Sequence, residues 1–195
     1  MFRLTTRLQI EGLHNIPQNS AAILAFNHLG HLDPLLVSSF SPRAPEFIAL
    51  ADLLQVPGTG PALCAYGVIL IHRDEYDRQV IRAALGTLKR GDLVALAPEA
   101  RQSPSATLER GREGAAYLAL KSGVPVVPMG ITGTQNAYGA WRDHRRPEIC
   151  IRVGPPFHLS AQPGTDRHEA LTAAHTAIMK HIAQLLPVEY RGYWS

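Results

Sequence analysis

Short apolar runs alternate with helix-spaced apolar stripes along this chain. Leu4, Thr6, Leu8 and Ile10 alternate with Arg3, Thr5, Arg7 and Gln9, which predicts a period-two strand with one wet face. Ala21 to Phe26 is a continuous apolar run. The polar turn Asn27-His28-Leu29-Gly30-His31-Leu32 follows it, and Asp33-Pro34 opens a second apolar run to Phe40. This predicts strand, turn and helix, with Asp33 as N-cap and Pro34 at the first helical position. Glu46–Leu50, Gly67–Ile71 and Leu93–Ala97 read as short buried strands. Between the last two, Val80, Ile81, Ala84, Leu85 and Leu88 have helix spacing, closed by Gly91. A further helix runs from about Arg112 to Ser122 and stops at Gly123. Val124 to Met129 reads as a strand whose two prolines make it irregular or place it near an edge. Ile131 to Pro147 lacks periodicity and reads as a long functional loop. Glu148–Val153 alternates as a strand, and Asp166-x-x-Glu169 resembles a capping box before the stripe Leu171, Ala174, Ile178, Ile182 and Leu185.

Strands alternating with helices predict an α/β fold. The expected architecture is a mostly parallel sheet of about seven strands, covered by helices on both faces. Residues 1–195 are expected to form a single domain.

Composition narrows the class. A hydrophobic content of 46% with 18% charged residues excludes a disordered chain. The formal charge of +3 is a mild basic excess and implies no nucleic-acid partner. Cys64 and Cys150 are too far apart in sequence for a metal cluster or a disulfide framework, and suit free thiols in a reducing compartment. No apolar run is long enough for a signal peptide or a span. The expected location is therefore the cytoplasm, with peripheral attachment to the inner face of the cell membrane. The aromatic tail Tyr190, Tyr193 and Trp194 with Arg191 suits a lipid interface, or else packs back on the domain.

The chemistry concentrates where buried strands end. His28 and Asp33 flank a turn containing Gly30. On a continuous helix they would point apart, but across the turn they can pair. A neutral imidazole held by a carboxylate keeps one nitrogen free as a base. No serine or cysteine nucleophile stands beside them, so activation of a substrate hydroxyl is the natural use. An ordinary helix cap with an incidental histidine is the plainer alternative. His28, His31 and Asp33 could also supply metal ligands, with His72 or Glu99 completing the set, as in a metal-dependent hydrolase. Arg73 follows the Gly67–Ile71 run. Pro98-Glu99-Ala100-Arg101 follows the next one. Arginines at such rims suit phosphate.

Taken in order, Asn27-His28-x4-Asp33-Pro34, Gly67-Val68-Ile69-Leu70-Ile71-His72-Arg73, Ala97-Pro98-Glu99 and Val124-Pro125-Val126-Val127-Pro128 with Gly130 resemble the four blocks of the glycerophospholipid acyltransferases, the lysophosphatidic acid acyltransferases. The resemblance implies fatty acyl transfer from acyl-CoA or acyl-carrier protein to the hydroxyl of 1-acylglycerol-3-phosphate, giving phosphatidic acid. His28 would be the general base, oriented by Asp33. Asn27, Arg73, Glu99, Arg101 and Gly130 would bind substrate. No metal and no resident cofactor are implied. The implied partners are the acyl thioester, a lysophospholipid acceptor and a membrane surface. Several positions depart from the pattern. Gly30 replaces the usual serine, Ala100 the usual glycine, Arg101 the usual threonine and Gln102 the usual arginine, and Leu50 stands where a lysine is common. Another lysolipid, an aminolipid or a glycolipid therefore stands as an alternative acceptor.

Overall fold

The structure, a computed structural model, describes residues 2–50, 68–71, 78–161 and 164–195. Its strands are β1 (Arg7–Glu11), β2 (Ala22–Phe26), β3 (Glu46–Leu50), β4 (Val68–Ile71), β5 (Leu93–Leu96), β6 (Val126–Thr132) and β7 (Glu148–Val153). Its helices are α1 (Phe2–Thr5), α2 (Asp33–Phe40), α3 (Arg78–Lys89), α4 (Gly114–Ser122), α5 (Ala137–Arg142) and α6 (Arg167–Leu185). The strands form one sheet in the order β1-β7-β6-β2-β5-β3-β4. Every neighbouring pair is parallel except β6 with β7.

The alternating side chains of the central strand divide the core in two. Ile23 and Ala25 point into a cluster with Ala84 of α3, Leu118 of α4 and Ile178 of α6. Ala22, Leu24 and Phe26 point into the other cluster, with Leu36 and Val37 of α2 and Ala137 of α5. A strand buried on both faces has no polar side, which explains its unbroken apolar sequence.

Three sequence expectations change. The N-terminal alternation is not all strand. Thr6 donates through N–H and Oγ1 to Phe2 O (2.9 and 2.7 Å), which winds residues 2–5 into a helical turn before the ladder begins at Arg7. The Val124–Met129 stretch belongs to an interior strand, between β2 and β7. Its Pro128 is tolerated because the antiparallel ladder to β7 begins one residue later, at Met129 opposite Val153. Finally, Ile131 to Pro147 is not a long loop. β6 continues to Thr132, a 3-10 turn spans Thr134–Asn136, and α5 follows.

Topology decides which loops meet. β2, β5 and β6 run parallel, so the segments that follow them open on one rim of the sheet. From β2 the chain passes to β3 and β5 on one side, and β6 lies on the other, so the end of β2 marks the switch in direction. Crevices form at such points in open α/β sheets. β7 is antiparallel to β6 and β1 is parallel to β7, so both begin on this rim, with α1 and α5 beside them. The indole N–H of Trp141 on α5 donates to Thr5 O at 2.9 Å and ties the two helices together.

Candidate active site

Asn27, His28 and Leu29 leave the end of β2 directly into the crevice. Asn27 is fully buried, and both ends of its amide are used. Nδ2 donates to Ile131 O (2.8 Å), and Oδ1 accepts from Ile131 N–H (2.7 Å). Its side chain continues the β2–β6 ladder past Phe26, a framework contact at a residue that the resemblance gives to substrate.

His28 is fixed at three points. Its Nδ1 lies 2.9 Å from Asp33 Oδ2. Its backbone N–H donates to Glu99 Oε2 (2.7 Å), and its backbone carbonyl accepts from Ser103 N–H (2.8 Å). An ionised carboxylate only accepts, so in the neutral imidazole this contact assigns the proton to Nδ1 and leaves Nε2 as the acceptor nitrogen. The imidazole is 21% exposed, while Asp33 is fully buried. The ring also packs edge-on against Phe26, with centroids 6.4 Å apart.

Asp33 does not act as the N-cap the sequence suggested. Leu32 is the N-cap, and Asp33 is the first residue of α2. Its carboxylate turns back to the preceding turn, where Oδ2 accepts from the N–H groups of Leu29 (2.6 Å) and Gly30 (2.8 Å) as well as from His28. Asp33 thus builds the turn and orients the base with the same oxygen. Gly30 is required by close approach, since a Cβ there would lie 2.9 Å from Thr134 O.

Glu99 lies in the turn just after the adjacent strand β5, where the sequence placed it, but it is buried at 4% exposure. Its second oxygen accepts from Glu109 N–H at 2.9 Å. Burial pushes its pKa up to about 7 from 4.5, against the lowering effect of the two backbone N–H donors. Glu99 braces His28 from behind and does not open to solvent. Arg101 is 60% exposed, and its guanidinium is paired with Glu109 (2.6 Å). Gln102 Nε2 donates to Leu29 O at 3.0 Å, a strut between the loop after β5 and the histidine turn. Ala100 adopts the left-handed conformation with φ 55°, which accounts for glycine being usual at that place.

Gly130 lies inside β6, where a Cβ would sit 2.8 Å from Leu185 Cβ, so its bareness lets α6 close on the sheet. Arg73 and His72 lie outside the described residues, as do Cys64 and the loop around Gly60. His31 is exposed, and among the described residues no three His, Cys, Asp or Glu side chains converge to hold a metal ion. The sequence marks Gln102 as a departure from the family pattern but does not show it, Ser103 or Glu109 as struts of the site. For Ser103 and Glu109 the signal is polar character in a loop after a buried strand.

The family model for acyltransferases matches residues 7–132, nearly two thirds of the chain. The chain belongs to the acyltransferase family. It is 31% identical over 131 residues to the chloroplastic 1-acyl-sn-glycerol-3-phosphate acyltransferase LPAT1 of Arabidopsis thaliana, covering 66% of this chain and 36% of that protein. It is 25% identical over 188 residues to the 1-acyl-sn-glycerol-3-phosphate acyltransferase of Pseudomonas aeruginosa, covering 95% of this chain and 72% of that one. The crystal structure of the 1-acyl-sn-glycerophosphate acyltransferase PlsC from Thermotoga maritima has the same fold, with a TM-score of 0.69 at 21% identity, over 94% of this chain and 74% of that chain. The His28–Asp33 turn and the Glu99 loop both fall inside the segment that the family model covers.

Proposed function

We propose that this acyltransferase moves a fatty acyl group from acyl-CoA or acyl-carrier protein to the free hydroxyl of 1-acylglycerol-3-phosphate, giving phosphatidic acid. The observation that carries the reading is the 2.9 Å contact between His28 Nδ1 and Asp33 Oδ2, which engages one ring nitrogen and leaves Nε2 for the substrate. In the proposed step Nε2 takes the proton of the acceptor hydroxyl as its oxygen attacks the thioester carbonyl. Asp33 stabilises the imidazolium that forms. The C–S bond then breaks, and His28 returns the proton to the leaving thiolate. The products are an ester and a free thiol, with no acyl-enzyme and no resident cofactor. Arg73 and Arg101 are the proposed contacts for the acceptor phosphate.

The proposed membrane partner is an anionic lipid surface facing the rim around His28. Leu4 (81% exposed) and Tyr138 (56% exposed) stand on α1 and α5. The same stretches of chain carry Arg7, paired with Glu148, and Arg142 and Arg145, both paired with Asp143. Exposed apolar groups with basic residues nearby in sequence suit a headgroup layer. No helix among the described residues is long and apolar enough to cross a membrane.

Purified protein with acyl-CoA or acyl-carrier protein thioester and lysophosphatidic acid, assayed by release of free thiol, tests the reading. Absence of thiol release with either donor sinks it. One observation favours a different acceptor. Arg101 is paired with Glu109 and Gln102 with Leu29 O, so neither group of this loop is unengaged for phosphate. Preference for an uncharged lysolipid or glycolipid in the same assay would select that alternative.

A further inference from the structure

The last residues of the chain are bonded to the loop that serves Glu99. Val188–Tyr190 and Gly192–Trp194 are two short 3-10 turns beyond α6. Leu108 N–H donates to Tyr190 O (2.8 Å), and Tyr193 N–H donates back to Leu108 O (3.2 Å). The indole N–H of Trp194 donates to Glu109 O at 2.8 Å. His175 of α6 packs edge-on against that indole, and its Nε2 reaches Arg110 O at 3.0 Å. Three successive loop residues are thus held from outside. The tail lies flush against them, since Gly192 has φ 52° and a Cβ there would lie 2.5 Å from Leu108 O.

Glu109 is held at its carbonyl by Trp194 and spends its other groups inward. Its N–H donates to Glu99 Oε1 (2.9 Å), and its carboxylate accepts from Arg101 Nε (2.8 Å). The other oxygen of Glu99 accepts the backbone N–H of His28. An unbroken line of hydrogen bonds therefore runs from Trp194 through Glu109 and Glu99 to His28, with a branch to Arg101. A tail that only covered the core would need apolar contact alone. This one places three hydrogen bonds on Leu108 and Glu109, at the edge of the crevice.

We propose that Trp194 is a positioning residue. By fixing Glu109 it sets Arg101 and the backbone of His28 relative to each other, and so the fit of the acceptor. The kinetic side of this proposal rests on the acyl-transfer reading above. The line of bonds does not.

Trp194→Phe tests it, because the ring stays and only the N–H donor is lost. Loss of one such bond is expected to raise the KM for the acceptor about three- to tenfold while the KM for the acyl donor and the melting temperature stay close to wild type. Amide exchange should speed up in the segments 26–33 and 97–112, followed by mass spectrometry without any substrate. Gly192→Ala, whose Cβ would press on Leu108 O and Thr107 and push the tail off the loop from a second point, should speed exchange in the same segments and raise the acceptor KM, with a lower melting temperature from the strain. Faster exchange in a protein that transfers no acyl group to any acceptor would support the line of bonds and sink only the acyl-transfer reading. Unchanged exchange with an unchanged acceptor KM would overturn the proposal. So would an equal rise in both KM values accompanied by a fall in melting temperature.

Discussion

Each of the three points that fix His28 can be removed separately, and the consequences differ. His28→Ala should abolish thiol release while cooperative unfolding persists, because only a part-exposed ring is lost. Retained turnover would take His28 out of the mechanism. Asp33→Asn keeps an acceptor oxygen for the N–H groups of Leu29 and Gly30 but loses the charge that balances the imidazolium. Activity should fall about a hundredfold or more. Glu99 gives the pH prediction. Its carboxyl has a pKa of about 7 when folded against 4.5 unfolded, so the folded state binds the extra proton between those values. Stability is then fullest below pH 4.5 and falls as pH rises through 7, by on the order of 3 kcal/mol. In Glu99→Gln that slope should vanish. Its amide NH2 opposes one of the two backbone donors, costing about 1–3 kcal/mol at pH 5, and the gap to wild type should close or reverse by pH 8. Denaturant unfolding across this range checks the sign. The titrating carboxyl was legible in the sequence as a residue, but its burial was not. Only the packing of the loop after β5 reveals that it faces the histidine backbone and not solvent.

At the scale of elements, the departures from the family pattern become steric facts. A serine at position 30 would bring a Cβ to 2.9 Å from Thr134 O, so Gly30→Ser should destabilise by about 1–3 kcal/mol. Gly130→Ala meets Leu185 at the closest approach of α6 to β6 and should cost a similar amount, read by thermal melts. Most elements could be read from periodicity, because buried strands and amphipathic helices carry their environment in their side chains. β6 was harder. Its prolines suggest an irregular or edge strand, yet the interior position follows from register with β2 and β7, which no local pattern encodes. The residues from Ile131 onward were misread for a related reason. A 3-10 turn and a six-residue helix are too short to show a period. Asn27 and Gly130, which the motifs link to substrate, also make bonds and contacts in the framework that holds the motif in place.

At the scale of the whole molecule, the sheet order carries the functional consequence. Because β2, β5 and β6 end together and β1 and β7 begin there, the candidate base, its braces and the two short helices share one rim. Of the three tail aromatics the sequence offered to a membrane, Trp194 and Tyr190 are instead bonded inward, to Glu109 O and Gln135 Nε2. Tyr193 stays exposed, with Arg110 over its ring at 5.6 Å. The heavier concentration of arginine lies across the rim on α5 and the segment after it, where Asp143 is the one acidic residue among Arg142, Arg145 and Arg146. Each arginine near an anionic bilayer adds about 1 kcal/mol, so Arg142→Glu with Arg145→Glu should weaken binding to phosphatidylglycerol vesicles at least tenfold. Leu4→Ser with Tyr138→Ser should weaken it at both low and high salt, whereas the charge reversals should matter less as salt rises. Co-sedimentation with anionic and with zwitterionic vesicles separates the two contributions. Undiminished binding in both double variants would move the docking face elsewhere on the molecule. A loss of turnover on vesicle-borne acceptor, with turnover on a soluble short-chain acceptor retained, would tie this rim to delivery of the substrate and leave the His28 chemistry untouched.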